Sequence, residues 1–136
     1  MRRRLALASA VTMATAIAMA SPSHADEPVL HRVKYTVSTQ NPISADIYYR
    51  DADPPTWADY SHDPYLFSPK VEADIGPEMP WVLEALLADP GQWAMVTATS
   101  GMSSDRSMFH CELAVDGVVV DSNEGPKGAL CSLRHW

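Results

Sequence analysis

The sequence predicts an all-β protein, an antiparallel β-sandwich of about seven strands with immunoglobulin-like general architecture and one disulfide. Residues 29–39 alternate between apolar and polar side chains, which is the pattern of a half-buried strand. Asp116-Gly117 stands between two apolar runs, the strongest short-range signal of a β-hairpin. The two cysteines of the chain, Cys111 and Cys131, lie on either side of that signal. A small closed barrel is the alternative architecture.

Residues 1–25 have the features of a secretory signal peptide. Three arginines follow the initial methionine, an apolar run covers residues 5–20, and Ser23-His24-Ala25 is a small-x-small cleavage site. The run is shorter than the roughly 20 residues that a membrane-spanning helix prefers, although an uncleaved N-terminal anchor is the alternative. We therefore expect residues 26–136 to form one exported domain, secreted or held in the periplasm or cell envelope, with no transmembrane span after cleavage.

Two strands open this domain. The odd-numbered residues of 33–37 and of 43–49 are apolar and are predicted to face the core. The even-numbered residues, Arg50 included, are predicted to face outward. Asn41-Pro42 makes a turn between the strands, so we expect the two strands to pair or lie side by side.

Residues 51–79 form the irregular part of the chain. Five prolines and a cluster of aspartates occur in it, and the prolines at 54, 55 and 64 disfavour a central strand over 51–64, while 65–74 is compatible with a short strand. Long loops are often functional, and this one is rich in aromatic residues. We expect an exposed aromatic face that binds a lipid, a carbohydrate or a partner, and the alternative is a satellite core over the edge of the sandwich. The candidate binding residues are Trp57, Tyr60, Tyr65, Phe67 and Trp81.

The next segment is ambiguous. Residues 81–88 are rich in helix-forming Leu, Ala and Glu, but the all-β surroundings favour an extended conformation. Residues 89–91 make a turn, and 92–99 form a strand in which apolar residues occupy both faces. Residues 101–106 form a polar loop.

Three closing strands are predicted at about 107–115, 118–122 and 129–135. Cys111 precedes the turn at Asp116-Gly117 and faces the core, as do Cys131 and Leu133 on the last strand. In an exported chain, two cysteines most simply form a disulfide, here closing a loop of about 20 residues that contributes about 3 kcal/mol. Two buried thiols or a partial metal site are the alternatives.

Charge and motifs exclude several classes of function. The formal net charge of −7 argues against nucleic acid and anionic lipid surfaces as partners. The chain contains no G-x-S-x-G motif, and bridged cysteines leave no reactive thiolate. His110 and His135 are predicted to point to different faces, and the aspartates of 51–63 lack the spacing of a calcium loop. We therefore expect no enzyme activity, no metal and no cofactor.

Five short motifs occur in order along the chain: V-K-Y-T-V at 33–37, A-D-I-Y-Y at 45–49, P-W at 80–81, C-E-L-A-V-D-G at 111–117 and G-A-L-C at 128–131. Together they resemble the external domain of the mycobacterial small membrane protein (MmpS) family, whose pattern is V-x-Y-x-V, A-x-I-x-Y, P-W, C-x-V-x-V-D-G and a final A-x-C. The paired cysteines around V-D-G are the specific part of the match.

The resemblance implies a small β-sandwich with one disulfide that works with large MmpL-type transporters of lipids and siderophores. This chain differs from the pattern in its cleavable N-terminal segment, where the family keeps an anchor, and in its longer 51–79 stretch. The predicted function is a non-catalytic exported binding or accessory module of the cell envelope, with an MmpL-type transporter or a lipid-like ligand as partner. The alternative hypothesis is a free-standing secreted carrier of a small apolar ligand.

Overall fold

The computed structural model describes residues 27–135, so the predicted signal peptide lies outside the described residues. No helix within residues 27–135 is long and apolar enough to cross a membrane. The described residues contain β1 (His31–Thr39), β2 (Ile43–Tyr49), α1 (Trp57–His62), a 3₁₀ helix (Pro64–Phe67), β3 (Lys70–Ile75), β4 (Trp81–Leu87), α2 (Pro90–Trp93), β5 (Met95–Thr99), β6 (Phe109–Val115), β7 (Val118–Gly125) and β8 (Gly128–Ser132).

The strands form two antiparallel sheets that pack as a sandwich. The first sheet has the order β4-β1-β6-β7 and the second has the order β3-β2-β5-β8. The predicted all-β sandwich is confirmed, with eight strands in the described residues where about seven were expected. Apolar side chains from both sheets fill the space between them, and the alternating residues of β1 and β2 that were predicted to be inward, such as Val33 and Ile47, are fully buried.

The prediction that β1 and β2 pair or lie side by side is wrong. β1 pairs with β4 and β6, whereas β2 pairs with β3 and β5 in the other sheet. The chain between them crosses from one sheet to the other instead of forming a hairpin. Ser107 stabilises this crossing, because its hydroxyl accepts a hydrogen bond from Asn41 N at 2.9 Å.

The closing hairpin and the disulfide are confirmed. Asp116 and Gly117 both have positive φ, 50° and 83°, as a type I′ turn requires. Cys111 of β6 and Cys131 of β8 are fully buried and joined, with their Cα atoms 6.0 Å apart. Because β6 and β8 belong to different sheets, the bridge ties the two layers of the sandwich together.

The structure assigns a conformation to each segment that was irregular or ambiguous in the sequence. Residues 81–87 are a strand, as the all-β surroundings favoured, and the expected short strand within 65–74 is β3 at 70–75. The strand predicted from residue 92 begins at Met95, because residues 90–93 form a short helix. Leu133, expected inward, lies after the end of β8 and is exposed.

Arg50 is the largest departure from the predicted pattern. It was expected to face outward, yet it is 0 % exposed. The alternation of β2 ends at Tyr49, and the chain that follows folds back over the Arg50 side chain.

Candidate functional site

Residues 50–69 fold over one part of the sandwich as two short helical turns, each begun by a polar cap. Thr56 caps α1: its hydroxyl accepts from Asp59 N at 3.1 Å and donates to the Asp59 carboxylate at 2.7 Å. Asp63 caps the 3₁₀ helix, accepting from Leu66 N. Asp53 accepts from the backbone N–H groups of residues 88 and 89 at 2.7 and 2.9 Å. Two aspartates of the acidic cluster, Asp53 and Asp63, therefore accept from backbone groups, and Asp59 accepts from the Thr56 hydroxyl.

α1 and α2 build a cluster of three rings that we call the aromatic cap: Trp57, Tyr60 and Trp93. The Trp57 ring stacks on Trp93 with centroids 6.0 Å apart, and Tyr60 contacts both indoles at 5.3 Å. A guanidinium lies against each side of the cluster. Arg50 Cζ is 4.6 Å from the Tyr60 centroid, and Arg134 Cζ is 4.0 Å from that of Trp57. Both distances are within the range of cation–π attraction.

The Arg50 guanidinium holds the cap on the sandwich. It donates hydrogen bonds to Trp93 O at 3.1 Å, Ser68 Oγ at 3.0 Å and Phe67 O at 3.3 Å. These acceptors come from α2 and from the end of the 50–69 segment. One side chain, directly after the end of β2, therefore connects both pieces of chain that carry the aromatic rings.

A buried tyrosine hydrogen-bonds to the backbone of Arg50 from the core. Tyr35 Oη donates to Arg50 O at 2.6 Å and accepts from Met95 N at 3.3 Å. Burial raises the pKa of Tyr35 to about 12, because the phenolate would be desolvated between the sheets. The phenol is therefore neutral and keeps its donor role throughout the physiological range.

A groove lies between the 50–69 segment and the outer face of the second sheet, with a volume of about 460 Å³. We call it the tyrosine groove; it is lined by Tyr48, Tyr60, Pro64, Tyr65, Ser68, Met95 and Thr97. Its size is within the range of small-molecule sites, and its lining combines apolar rings with hydroxyl groups. The groove is lined from one sheet only, so it is not a cavity inside the sandwich.

The structure brings some of the predicted binding residues together and separates others. Trp57 and Tyr60 are members of the aromatic cap, and Tyr60 and Tyr65 line the tyrosine groove. Phe67 is half-buried and contributes its carbonyl oxygen to Arg50. Trp81 contacts the Tyr49 ring in a tilted arrangement, with centroids 5.4 Å apart, and packs against the core from the edge strand β4.

The aromatic side chains of this region differ in exposure. Trp93, which was not among the predicted binding residues, is buried in the core, and Tyr60 is half-buried and packs against it. Trp57 is 45 % exposed and Tyr65 is 79 % exposed, as is Leu66 at 70 %. Part of the set therefore anchors the segment, and part forms an apolar surface accessible to a partner.

Sequence reasoning missed Arg50, Trp93 and Arg134. Asp89 is a helix N-cap and Pro90 occupies the first helical position. This signal could have identified α2 and so separated Trp93 from the strand. No local pattern marks Arg50 or Arg134, because their partners come from distant parts of the chain.

The histidines make separate surface contacts. His31 Nδ1 is 2.7 Å from the carboxylate of Asp116, which also accepts from Arg32 N at 2.9 Å. These bonds lower the pKa of Asp116 below its usual value. His110 Nδ1 lies 3.4 Å from Glu124 on the neighbouring strand. Within residues 27–135, no group of three His, Cys, Asp or Glu side chains is arranged to hold a metal ion.

Comparison with known proteins identifies the family of this fold. The sequence model of the Rv2576c β-sandwich domain matches residues 35–131, from within β1 to the second cysteine. The chain belongs to the Rv2576c β-sandwich domain family. Two relatives are the uncharacterized protein Rv2576c of Mycobacterium tuberculosis (strain H37Rv) and the uncharacterized protein Mb2606c of Mycobacterium bovis. Each is 43% identical over 110 residues, which cover 81% of this chain and 71% of the relative.

The Rv2576c β-sandwich match includes most of the candidate site. Arg50, Trp57, Tyr60 and Trp93 lie inside residues 35–131, and Arg134 lies just beyond. The matching model is that of the Rv2576c domain, so the resemblance to the MmpS family stays a prediction.

Proposed function

We propose that this chain is a non-catalytic, exported β-sandwich that acts as a binding or accessory module of a mycobacterial-type cell envelope, beside an MmpL-type transporter of lipids or siderophores. The aromatic cap is its contact surface for that partner. The observation that carries the proposal is the exposure of Trp57 on a support that is itself held by the buried Arg50.

The physical advantage of this arrangement is preorganisation. Trp57 is 45 % exposed, yet its ring is already ordered by stacking on Trp93 and by the guanidinium of Arg134. A partner that covers such a ring loses little side-chain entropy on binding, and aromatic and arginine side chains are the commonest energetic centres of protein interfaces. Exposed Tyr65 and Leu66 extend the apolar area beside it.

The compartment and the partner are supported by other observations. A disulfide between buried cysteines is typical of exported proteins, because the cytosol keeps thiols reduced. The first 25 residues read as a signal peptide. The relatives are mycobacterial proteins, and the motifs shared with the MmpS pattern point to transporters of the MmpL type.

Site-specific photo-crosslinking tests this proposal. A photoreactive amino acid replaces Ala58, which is exposed on α1 next to Trp57, in the full chain expressed in a mycobacterial host. We expect adducts with an MmpL-type transporter, identified by mass spectrometry, that are lost when Trp57→Ala is added. The matched control places the same group at exposed Ser122 on β7. Transporter adducts of equal yield at both positions, or none at residue 58, would refute the assignment of the cap.

The tyrosine groove favours a second function, a secreted carrier of a small apolar ligand. Its 460 Å³ would enclose a ligand between the rings of Tyr48, Tyr60 and Tyr65. Thr97→Trp fills the groove from the floor and leaves the cap rings in place. Native mass spectrometry of the protein secreted by a mycobacterial host should show a retained ligand in the parent and in Trp57→Ala, and none in Thr97→Trp. Ligand-free parent protein would reject the carrier function.

A further inference from the structure

The edge strand β4 has one strand partner among the residues that the structure describes. Within residues 27–135 it pairs with β1 on one side only, over the whole length from Trp81 to Leu87. An unpaired edge presents a row of backbone N–H and C=O groups, so it is a template for another extended chain unless the protein protects it.

The other three edges of the sandwich carry protection that β4 does not have. β3 places charged Lys70, Glu72 and Asp74 along its length. β7 and β8 are tied to each other, because Asp121 accepts from Ser132 N at 2.9 Å and Asn123 donates to Leu130 O at 2.7 Å. β4 contains no lysine, no proline and no bulge, and Glu84 is its one charged residue.

The side chains of β4 are incompletely covered on both faces. Trp81, Leu83 and Ala85 point toward the core but are only half-buried. Val71 and Ala73, on the facing edge strand β3, are half-buried as well. The sandwich is therefore open between its β4 and β3 edges, and one more strand beside β4 would close it.

The outer face of β4 has an apolar–acidic–apolar pattern. Val82 and Leu86 are 48 % and 57 % exposed, and Glu84 stands between them. Among the described residues, no cation lies within 4 Å of the Glu84 carboxylate, although Lys34 is its neighbour in register on β1. Glu84 and Leu86 also form one wall of a groove of about 740 Å³ on the outer face of the first sheet.

We propose that β4 binds an extended peptide segment of a partner protein, which adds to the first sheet as a fifth strand. Its inward side chains are apolar and cover Trp81, Leu83 and Ala85, and a lysine or arginine lies opposite Glu84. Backbone hydrogen bonds to the free edge supply affinity, and the alternating side chains supply specificity.

The chemistry of the edge favours a foreign peptide over a second copy of this chain. Antiparallel pairing of two β4 strands centred on Glu84 would place two glutamates directly opposite each other, which is destabilising. A basic residue at that position forms instead a favourable cross-strand pair. The overall charge of −7 also favours a basic segment.

The test uses the oxidised domain and a synthetic peptide of about eight residues, alternating valine and threonine with one central lysine. Calorimetry measures binding, and amide hydrogen exchange locates it. At a peptide concentration that occupies about nine-tenths of the protein, exchange of the outward β4 amides should slow about tenfold, because only the free fraction exchanges. Amides of β7 serve as the internal control.

Backbone methylation separates strand addition from surface adsorption. Successive residues of a strand present their N–H groups to opposite sides, so methylating one alternate set should abolish binding and methylating the other set should preserve it. Equal effects of the two methylated peptides would overturn the proposal, as would absence of binding by the unmethylated peptide.

A charge swap tests the role of Glu84. Glu84→Lys should weaken binding of the lysine peptide by at least about two- to fivefold. A peptide with glutamate in place of lysine should restore the affinity for this variant. The matched control is Glu112→Lys, on the outer face of the same sheet but away from the edge. If E112K changes affinity as much as E84K, the interaction is long-range attraction and strand addition at β4 is wrong. If the β4 amides are protected without peptide and sedimentation shows a dimer, the edge binds a second copy of the chain. That result would also contradict the proposal.

Discussion

Replacing Arg50 with methionine should reveal how strongly one side chain holds the aromatic cap. The guanidinium is fully buried and donates to Phe67 O, Trp93 O and Ser68 Oγ. Methionine keeps much of the apolar volume and lies against the same rings, but it has no donors. Arg50→Met therefore removes the hydrogen bonds and the cation–π contacts while it keeps most of the packing.

The expected loss follows from the groups left behind. The buried carbonyl oxygen of Trp93 and the part-buried carbonyl oxygen of Phe67 would each lose a donor, at about 1–3 kcal/mol for each oxygen. Methionine carries no charge, so the variant avoids the desolvation cost of burying a guanidinium, and this offsets part of the loss. We therefore expect the free energy of unfolding to fall by about 3 kcal/mol, the lower end of the roughly 3–5 kcal/mol for breaking a buried charged network.

Urea denaturation followed by tryptophan fluorescence measures this loss, and acrylamide quenching of the total tryptophan fluorescence reports whether the cap opens. The matched control is Arg32→Met, the same change at an exposed arginine of β1, which should alter stability by less than about 0.5 kcal/mol. If Arg50→Met stays within about 1 kcal/mol of the parent protein and quenching is unchanged, the guanidinium does not hold the cap.

Three further changes test other parts of the fold. Replacing Cys111 and Cys131 with alanine should lower the free energy of unfolding by about 3 kcal/mol under oxidising conditions, because a loop of 20 residues is no longer closed; equal stability of the parent with and without reductant would contradict this. Gly117→Ala should cost about 1 kcal/mol in a chemical melt, because φ is 83° and the new methyl group meets no atom within 4 Å, whereas Gly91→Ala in α2 should be neutral or slightly stabilising. The pKa of Tyr35 is about 12 in the folded protein and 10.0 in the reference state, so its stabilisation is complete below pH 10 and is lost as the pH rises toward 12, by about 2–3 kcal/mol. In Tyr35→Phe, the free energy of unfolding should no longer fall by this amount between pH 10 and 12. If the variant and the parent protein lose stability equally over this range, the role assigned to Tyr35 is wrong.

The strands, the closing turn and the bridge could be predicted because short-range rules govern them. Alternation over 33–37 requires one face to be buried, since a shift of one residue would expose every apolar side chain. Asp116-Gly117 favours positive φ at both turn positions. The prediction that Cys111 pairs with Cys131 needed only their number and the expectation of export to an oxidising compartment. The β4 segment was harder, because its composition favours helix and only the neighbouring sheet makes it extended.

The arrangement of the candidate site could not be predicted from such short-range rules. The sequence singled out the aromatic residues of 57–67 and did not reveal which of them would be exposed. Trp93 was assigned to a strand, because the cap at Asp89-Pro90 was not recognised as the start of a helix. Trp81 was grouped with the cap aromatics, although it contacts Tyr49 at the edge of the core.

Sequence alone determined the class of the fold, the strands with strong alternation, the hairpin and the disulfide, because each depends on neighbours a few residues away or on the redox compartment. Only the tertiary structure decided that β1 and β2 belong to different sheets and that Arg50 is buried beneath an aromatic cap. The reason is the separation of the partners: Arg50 finds its acceptors 17, 18 and 43 residues further along the chain. No local pattern records which distant carbonyl groups will surround a side chain once the two sheets have packed.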